Sequence, residues 1–175
     1  MPVALSSAPW PARLLPGARH RNGTLYNLSY GIVSAIEVES IRNKPVYHYR
    51  PDSRVMSIGS YGCNFRCKGC HNLEISWGVE ALDKLARGQS TEAWITPEQM
   101  VETAFKHGVE GTAFTYSEPA VWLEYVLGSI RRAAELGIHV ETRTNVIPTK
   151  NDNLEELAGI AEWIRDNLGA DSPCM

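Results

Sequence analysis

Apolar positions in the second half of the chain alternate between short continuous runs and stretches with helical spacing. Residues 55–61 and 111–116 are mostly apolar or small and are followed directly by loop-forming residues, which is typical of buried strands. Residues 138–147 form a third run of this kind, which Pro148 ends. Because strands that alternate with helices indicate βαβ units, the pattern predicts an α/β fold with a parallel sheet.

Three helices are predicted between and after these strands. Thr96 is suited to cap the first helix, with Pro97 at its first helical position and Gln99 completing a capping box. The apolar positions of this helix recur at helical spacing: Met100, Val101, Ala104 and Phe105. Gly108 ends it, and the second helix is predicted over residues 121–136.

The third helix is predicted to begin at Asp152, with Glu155 three residues further on, and to end near Gly169. The side chains expected to be buried on it are Leu154, Leu157, Ala161, Ile164 and Leu168. Residues 77–90 are mixed in character and are expected to form a loop with some helix.

The first part of the chain has a different pattern. Residues 1–21 contain several prolines and are expected to be an irregular lead-in. In residues 22–50, short apolar runs separated by Gly23, Asn27 and Gly31 predict a small hairpin or strand pair. Residues 51–175 then form the α/β core.

Composition excludes several classes of function. The charged fraction is 21% and the net charge is −3, so the chain lacks the basic surface that nucleic-acid binding requires. No apolar run approaches the ~20 residues that span a bilayer, so no membrane partner is expected. The four cysteines make a poor disulfide framework, and we expect a cytoplasmic protein.

The most informative motif follows the strand at 55–61. Cys63, Cys67 and Cys70 have the spacing Cys-x3-Cys-x2-Cys, and the fourth cysteine of the chain, Cys174, is far away. Cubane iron–sulfur clusters are held by cysteine thiolates, usually four of them. Three thiolates on one loop would leave one iron open to a small ligand, as a catalytic zinc site keeps one open position.

These residues and their surroundings resemble the radical S-adenosylmethionine (SAM) superfamily. The resemblance rests on the cysteine motif after a strand, on residues 71–77 that follow it, and on the segments 113–119 and 146–152. Together these segments are most similar to AmmeMemoRadiSam-system radical SAM proteins, which are similar to pyruvate formate-lyase activating enzymes.

This resemblance implies a [4Fe–4S] cluster bound by Cys63, Cys67 and Cys70, with SAM on the open iron. It also implies an external electron donor similar to flavodoxin or ferredoxin, and a substrate of unknown identity that is a protein in the activating enzymes. The residues expected to contact the SAM cofactor are Ser117, Glu118, Pro119, Phe65 and Arg143. The resemblance assigns no catalytic residue.

Three alternatives to these site assignments remain open. The three cysteines with His71 have the donor types of a small zinc-binding module. The Ser117-Glu118-Pro119 segment is also a normal way to begin a helix. Glu141, Arg143 and Asn145 share one face of the third predicted strand and face either the cofactor or, on an edge strand, solvent.

The length of the core predicts a partial (β/α) barrel. Three β/α units are half of an eight-unit barrel, which typically takes roughly 250 residues. Residues 115–126 resemble the second strand and helix of the family, whereas residues 127–152 resemble the region of its last strand. We therefore expect the middle units to be missing, with the join near residues 125–128, and a non-catalytic iron–sulfur-binding remnant is the alternative function.

Overall fold

The structure is a computed structural model that describes residues 3–4, 18–44, 50–87, 94–139, 148–149 and 152–169. The chain divides into two units, Met1–Ile138 and His139–Met175, which are described separately here. Within the described ranges, none of the helices combines the length and the apolar character needed to cross a bilayer.

Strands and helices of the first unit follow one another in mixed order. Its strands are β1 (Val3–Ala4), β2 (Ala18–Arg21), β3 (Thr24–Asn27), β4 (Val33–Ser40), β5 (Arg54–Ser60) and β6 (Gly111–Phe114). Its α-helices are α1 (Leu73–Trp77), α2 (Val79–Arg87), α3 (Pro97–Lys106) and α4 (Leu123–Glu135), and short 3-10 helices lie at Ile41–Asn43 and Pro119–Trp122. The predicted strands at 55–61 and 111–116 are confirmed as β5 and β6.

β5 is the central strand of a three-stranded sheet with the order β4-β5-β6. β6 pairs with β5 in parallel, with Ile58 opposite Phe114, and β4 pairs with β5 in antiparallel orientation. Residues 55–60 are all buried, as expected for a strand that has neighbours on both edges. The mixed α/β class is therefore confirmed, and a small open sheet stands where the sequence predicts part of a barrel.

The predicted hairpin in residues 22–50 is only partly right. β3 pairs with β2, which precedes it, across a turn at Asn22 and Gly23 in which both residues have positive φ. β1 flanks β3 on its other edge, so these three strands form a separate antiparallel sheet. β4 does not pair with β3, because its backbone partner is β5, which lies beyond it in sequence.

The capping box predicted at the start of α3 is present. The Thr96 hydroxyl accepts the Gln99 N–H, and the Gln99 side chain accepts the Thr96 N–H. The predicted apolar face is correct for the buried residues Met100, Val101 and Ala104 but wrong for Phe105, which is 56% exposed. Phe105 lies at the edge of the apolar stripe, where spacing alone does not show whether another element covers it.

Aromatic side chains form the centre of the first unit. Trp122 and Tyr125 are fully buried, and their rings stack with centroids 4.9 Å apart. Phe114 of β6 contacts Trp122 edge-on at 5.8 Å, and Tyr30 contacts Tyr125 in the same way at 5.4 Å. Such pairs add to the stabilisation from area burial, so this cluster anchors α4 to the sheet.

In the second unit, the structure describes helix α5 (Leu154–Leu168). Its N-cap is Asn153, whose side chain accepts the Glu156 N–H at 2.8 Å, so the predicted cap at Asp152 is wrong by one residue. Of the side chains predicted to be buried, Ile164 is buried but Leu154 is 83% exposed and Ala161 is exposed. Residues 140–147 of the third predicted strand lie outside the described residues.

Candidate functional site

Two loops meet at the carboxyl ends of β5 and β6. The cysteine loop follows β5 after Gly62, and the Ser117-Glu118-Pro119 segment follows β6. The Ser117 hydroxyl lies 3.2 Å from the Ser60 hydroxyl and donates a hydrogen bond to the Ser60 carbonyl oxygen at 3.1 Å. Because parallel strands end at the same edge of a sheet, their loops form one site there.

The three cysteines of the motif are free and accessible. Cys63 and Cys70 are half-buried, and Cys67 is exposed. Two glycines give the loop its shape: Gly62 with φ +88° and Gly69 with φ +77°, a left-handed conformation that glycine adopts at little cost. The Gly62 N–H donates to the Ile75 carbonyl oxygen at 2.9 Å, which fixes the start of the loop against α1.

Trp77 holds the middle of the cysteine loop. Its indole N–H donates to the Phe65 carbonyl oxygen at 2.7 Å. The Arg66 guanidinium lies over the Trp77 ring at 3.9 Å, within cation–π distance. This contact of Trp77 could not be predicted from the sequence. The spacing of Trp77 from the cysteines matches no known motif, and the contact depends on how the loop folds.

The Ser117-Glu118-Pro119 segment begins a short helix, so the helix-start interpretation is confirmed. Glu118 caps the 3-10 helix Pro119–Trp122, and one of its carboxylate oxygens accepts the Ala120 N–H at 3.1 Å. The cap is compatible with the expected contact of Glu118 with SAM, since a carboxylate has acceptor positions on both oxygens. The side chain of Phe65 is 56% exposed, and Arg143 lies outside the described residues, as do Glu141 and Asn145.

Tyr116 has an unusual backbone conformation beside the site. Its φ is +71°, which is uncommon for a non-glycine residue and costs energy. Its ring lies against Gly59, where an added Cβ would be 2.8 Å from the ring atom Cδ2 of Tyr116. Burial and the carboxylates of Glu39 and Glu37 raise the pKa of Tyr116, so its phenol stays protonated. The hydroxyl donates to Glu37 Oε2 at 3.4 Å.

Glu39 and Lys44 form an ion pair on the same sheet. Their Oε1 and Nζ atoms are 2.8 Å apart, and both side chains are more than four-fifths buried. The Ser57 hydroxyl also donates to Glu39, at 2.6 Å. Partial burial alone would raise the pKa of Glu39, but hydrogen bonds from Lys44, Ser57 and Asn43, with the charge of Lys44, outweigh it and lower the pKa.

Replacing Glu39 by glutamine should lower stability at neutral pH by about 1–3 kcal/mol, because Lys44 would lose its buried partner. The pKa of Glu39 is below its ordinary value of 4.5 in the folded state, so its contribution is full above that pH and is lost as the pH falls through the folded pKa. Urea unfolding from pH 7 to pH 3 should therefore show a smaller loss of stability in acid for Glu39→Gln than for the wild type.

The control for this prediction is Glu135→Gln, which breaks an exposed ion pair with Arg132 and should change stability by no more than about 0.5 kcal/mol. Parallel pH profiles for the wild type and Glu39→Gln would show that the ion pair adds nothing in the native state.

An open cleft of ≈ 610 Å³ lies beside the two loops. Its walls come from β4, from the end of the cysteine loop, from α1 and from Tyr116, the second residue after β6. The lining residues are Ala35, Ile36, Glu37, His71, Asn72, Glu74, Ile75 and Tyr116. The β4 residues of this lining could not be identified from the sequence, because they reach the site only through the antiparallel pairing of β4 with β5.

The cysteine loop carries three free thiols, which are donors for metal ions once deprotonated. Among the described residues, no group of three or more histidine, cysteine, aspartate or glutamate side chains is placed to hold one metal ion. Neither the zinc set of Cys63, Cys67, Cys70 and His71 nor a three-thiolate cluster site is therefore preassembled within the described ranges. The three free thiols do have the donor type that iron–sulfur clusters use.

Comparison with known families agrees with this site. The radical SAM superfamily matches residues 57–173, a region that begins within β5 and includes both loops. The chain therefore belongs to the radical SAM superfamily, whose members typically use a [4Fe–4S] cluster and SAM.

A distant relative is an uncharacterized protein of Methanocaldococcus jannaschii, which is 27% identical over 209 residues. The aligned region covers 87% of this chain and 61% of the relative, so the chain spans less than two thirds of the relative's length. An alignment of 209 residues is longer than the whole chain of 175 residues, so the relative has positions within it that have no counterpart here.

Proposed function

We propose that this chain is a radical SAM enzyme that binds a [4Fe–4S] cluster through Cys63, Cys67 and Cys70 and binds SAM beside it. The observation that supports this most is that the loop after β6 is held to the end of β5, where the cysteine loop begins, by the hydrogen bonds between Ser117 and Ser60. A cluster on the first loop and the amino group of SAM on the second would then be neighbours.

The chemistry of the reaction would come from the cofactors, since a reduced cluster supplies the electron that cleaves SAM to a 5′-deoxyadenosyl radical for hydrogen abstraction. The protein's own groups position the reactants. The Ser117 hydroxyl fixes the second loop on β5, and Glu118 offers a carboxylate oxygen to an ammonium group. Trp77 holds the backbone of the cysteine loop at Phe65. Phe65 and Arg143 remain proposed SAM contacts.

The electron that this chemistry needs would come from an external flavodoxin- or ferredoxin-like donor, and the substrate, which is a protein in the activating enzymes, remains to be identified. We propose that the reaction takes place in the cytoplasm, where a reducing environment keeps the cysteine thiols available. We also propose that the chain belongs to the subfamily that it resembles, the AmmeMemoRadiSam-system radical SAM proteins.

The test is EPR spectroscopy of the anaerobically reconstituted chain after reduction with dithionite, with and without SAM. We expect a signal from the reduced cluster that changes when SAM is added, because SAM would bind the open iron. 5′-Methylthioadenosine is the matched control, since it has the adenosine and sulfur but lacks the amino and carboxylate groups, and it should leave the signal unchanged.

The same experiment separates the second candidate function, a non-catalytic iron–sulfur-binding remnant. The alignment favours this candidate to the extent that positions of the relative are missing from this chain. A cluster signal that SAM does not alter would establish the remnant and overturn the enzyme proposal. Zinc in place of iron, with no cluster signal, would overturn both.

A further inference from the structure

The cleft beside the cysteine loop has a charge that the described part of the chain does not neutralise. Glu37 is exposed. Among the described residues, its side chain accepts a hydrogen bond from the Tyr116 hydroxyl at 3.4 Å, which is a long hydrogen bond. Glu74, on α1, is exposed as well. Within the described ranges, no lysine or arginine forms an ion pair with either carboxylate, so both keep free acceptor positions.

On the same strand, Glu39 is a carboxylate whose charge is neutralised by an ion pair. It lies two residues from Glu37, but it is paired with Lys44 at 2.8 Å and accepts a hydrogen bond from Ser57 at 2.6 Å. The Lys44 ammonium, which also lies over the Tyr116 ring at 5.3 Å, is thus paired with Glu39 and not with Glu37. The difference leaves Glu37 as the carboxylate that is available to a ligand.

The rest of the cleft suits the uncharged part of a small organic molecule. Ile75 and Ala35 are half-buried on its walls and supply apolar contact. The Tyr116 ring lies against Gly59, and its hydroxyl is within 3.4 Å of the Glu37 carboxylate. Ligand sites commonly combine an apolar lining with a few polar groups that set orientation, and this cleft has both.

We propose that the cleft binds the substrate through an ammonium group carried on an apolar stem, with Glu37 and Glu74 as the carboxylates that receive it. This inference rests on the proposed function, because it makes the cleft the substrate site of the same radical SAM centre. A small alkylamine and a lysine side chain of a protein share this chemistry, and the carboxylates select for the cationic end of either.

The test is saturation-transfer difference NMR of the anaerobically reconstituted full chain with three probes of equal length: pentylamine, 1-pentanol and pentanoate. We expect saturation transfer to pentylamine well above that to the alcohol, and none to the acid. Glu37→Gln and Glu74→Gln should each weaken pentylamine binding about two- to five-fold, as exposed ion pairs do. Glu162→Gln, on α5, also removes one carboxylate charge, at a residue that does not line the cleft, and should leave binding unchanged.

Two further measurements distinguish a protein substrate from a free amine, and a substrate site from a SAM site. Stronger binding of Nα-acetyl-lysine methylamide than of pentylamine would support a protein substrate, and weaker binding would support a free amine. Pentylamine binding that persists with saturating SAM would support a separate substrate site. Loss of that binding on adding SAM would assign the cleft to the cofactor and overturn the inference.

The inference and the proposed function fail in different ways. Equal binding of the three probes, together with an EPR spectrum that responds to SAM, would overturn the ammonium site alone. Selective amine binding with a spectrum indifferent to SAM would overturn the radical chemistry while leaving a cation site in the cleft.

Discussion

Replacing Cys67 by alanine is expected to reduce the iron retained after reconstitution about ten-fold or more, with loss of the visible thiolate-to-iron absorption. Cys67 is the exposed member of the three thiols, so its loss leaves no space in the core and should not prevent folding. Changes in the groups around metal ligands already cost about 10–100-fold in metal affinity, and removing a ligand should cost at least as much. Iron assay and visible absorption measure the result.

Cys174→Ala is the matched control for this prediction. It also removes one thiol, but it lies more than one hundred residues from the motif in sequence and is not an expected ligand. This variant should retain the iron content and absorption of the wild type. If Cys67→Ala kept its full iron content while Cys174→Ala lost it, the proposed ligand set would be wrong.

Replacing Trp122 by alanine is expected to destabilise the first unit by about 3–5 kcal/mol, the usual cost of removing a large buried aromatic side chain. Trp122 is completely buried, stacks on Tyr125 and contacts Phe114 edge-on, so alanine would leave a cavity between α4 and the sheet. It also ends the 3-10 helix that begins at Pro119, so the second loop of the site would lose its support.

Urea unfolding followed by far-ultraviolet circular dichroism measures this effect as a shift of the midpoint. Trp122→Phe is the conservative variant, since it keeps an aromatic ring in the cluster and should lose clearly less stability than the alanine variant. An alanine variant that unfolds at the wild-type urea concentration would show that the aromatic cluster does not anchor α4.

The parts of the fold that local sequence determines were predictable. The capping box of α3 depends on Thr96 and Gln99, which are three residues apart, and it forms as expected. The strands before the two loops were also predictable, because each is a short apolar run that ends at a loop. Since parallel strands end at one edge, the contact of Ser117 with the end of β5, just before the cysteine loop, follows from these two predictions.

Features that depend on distant partners were not predictable from the sequence. Periodicity places Phe105 and Leu154 on apolar faces, but it does not say whether another element covers them, and both are exposed. The hydrogen bonds from Ser57 to Glu39 and from Tyr116 to Glu37 depend on how β4, β5 and the segment after β6 come together. The roles proposed for Ser117 and Glu118 toward SAM remain predictions.

The position of β4 has a consequence for how such a protein can diverge. β4 precedes the region matched by the superfamily, yet Ala35, Ile36 and Glu37 form one wall of the cleft. β4 is held to β5 by backbone hydrogen bonds, which do not depend on the identity of the side chains that point into the cleft. Substitutions in this wall can therefore change what the cleft binds without removing the backbone pairing that holds β4 beside the cysteine loop.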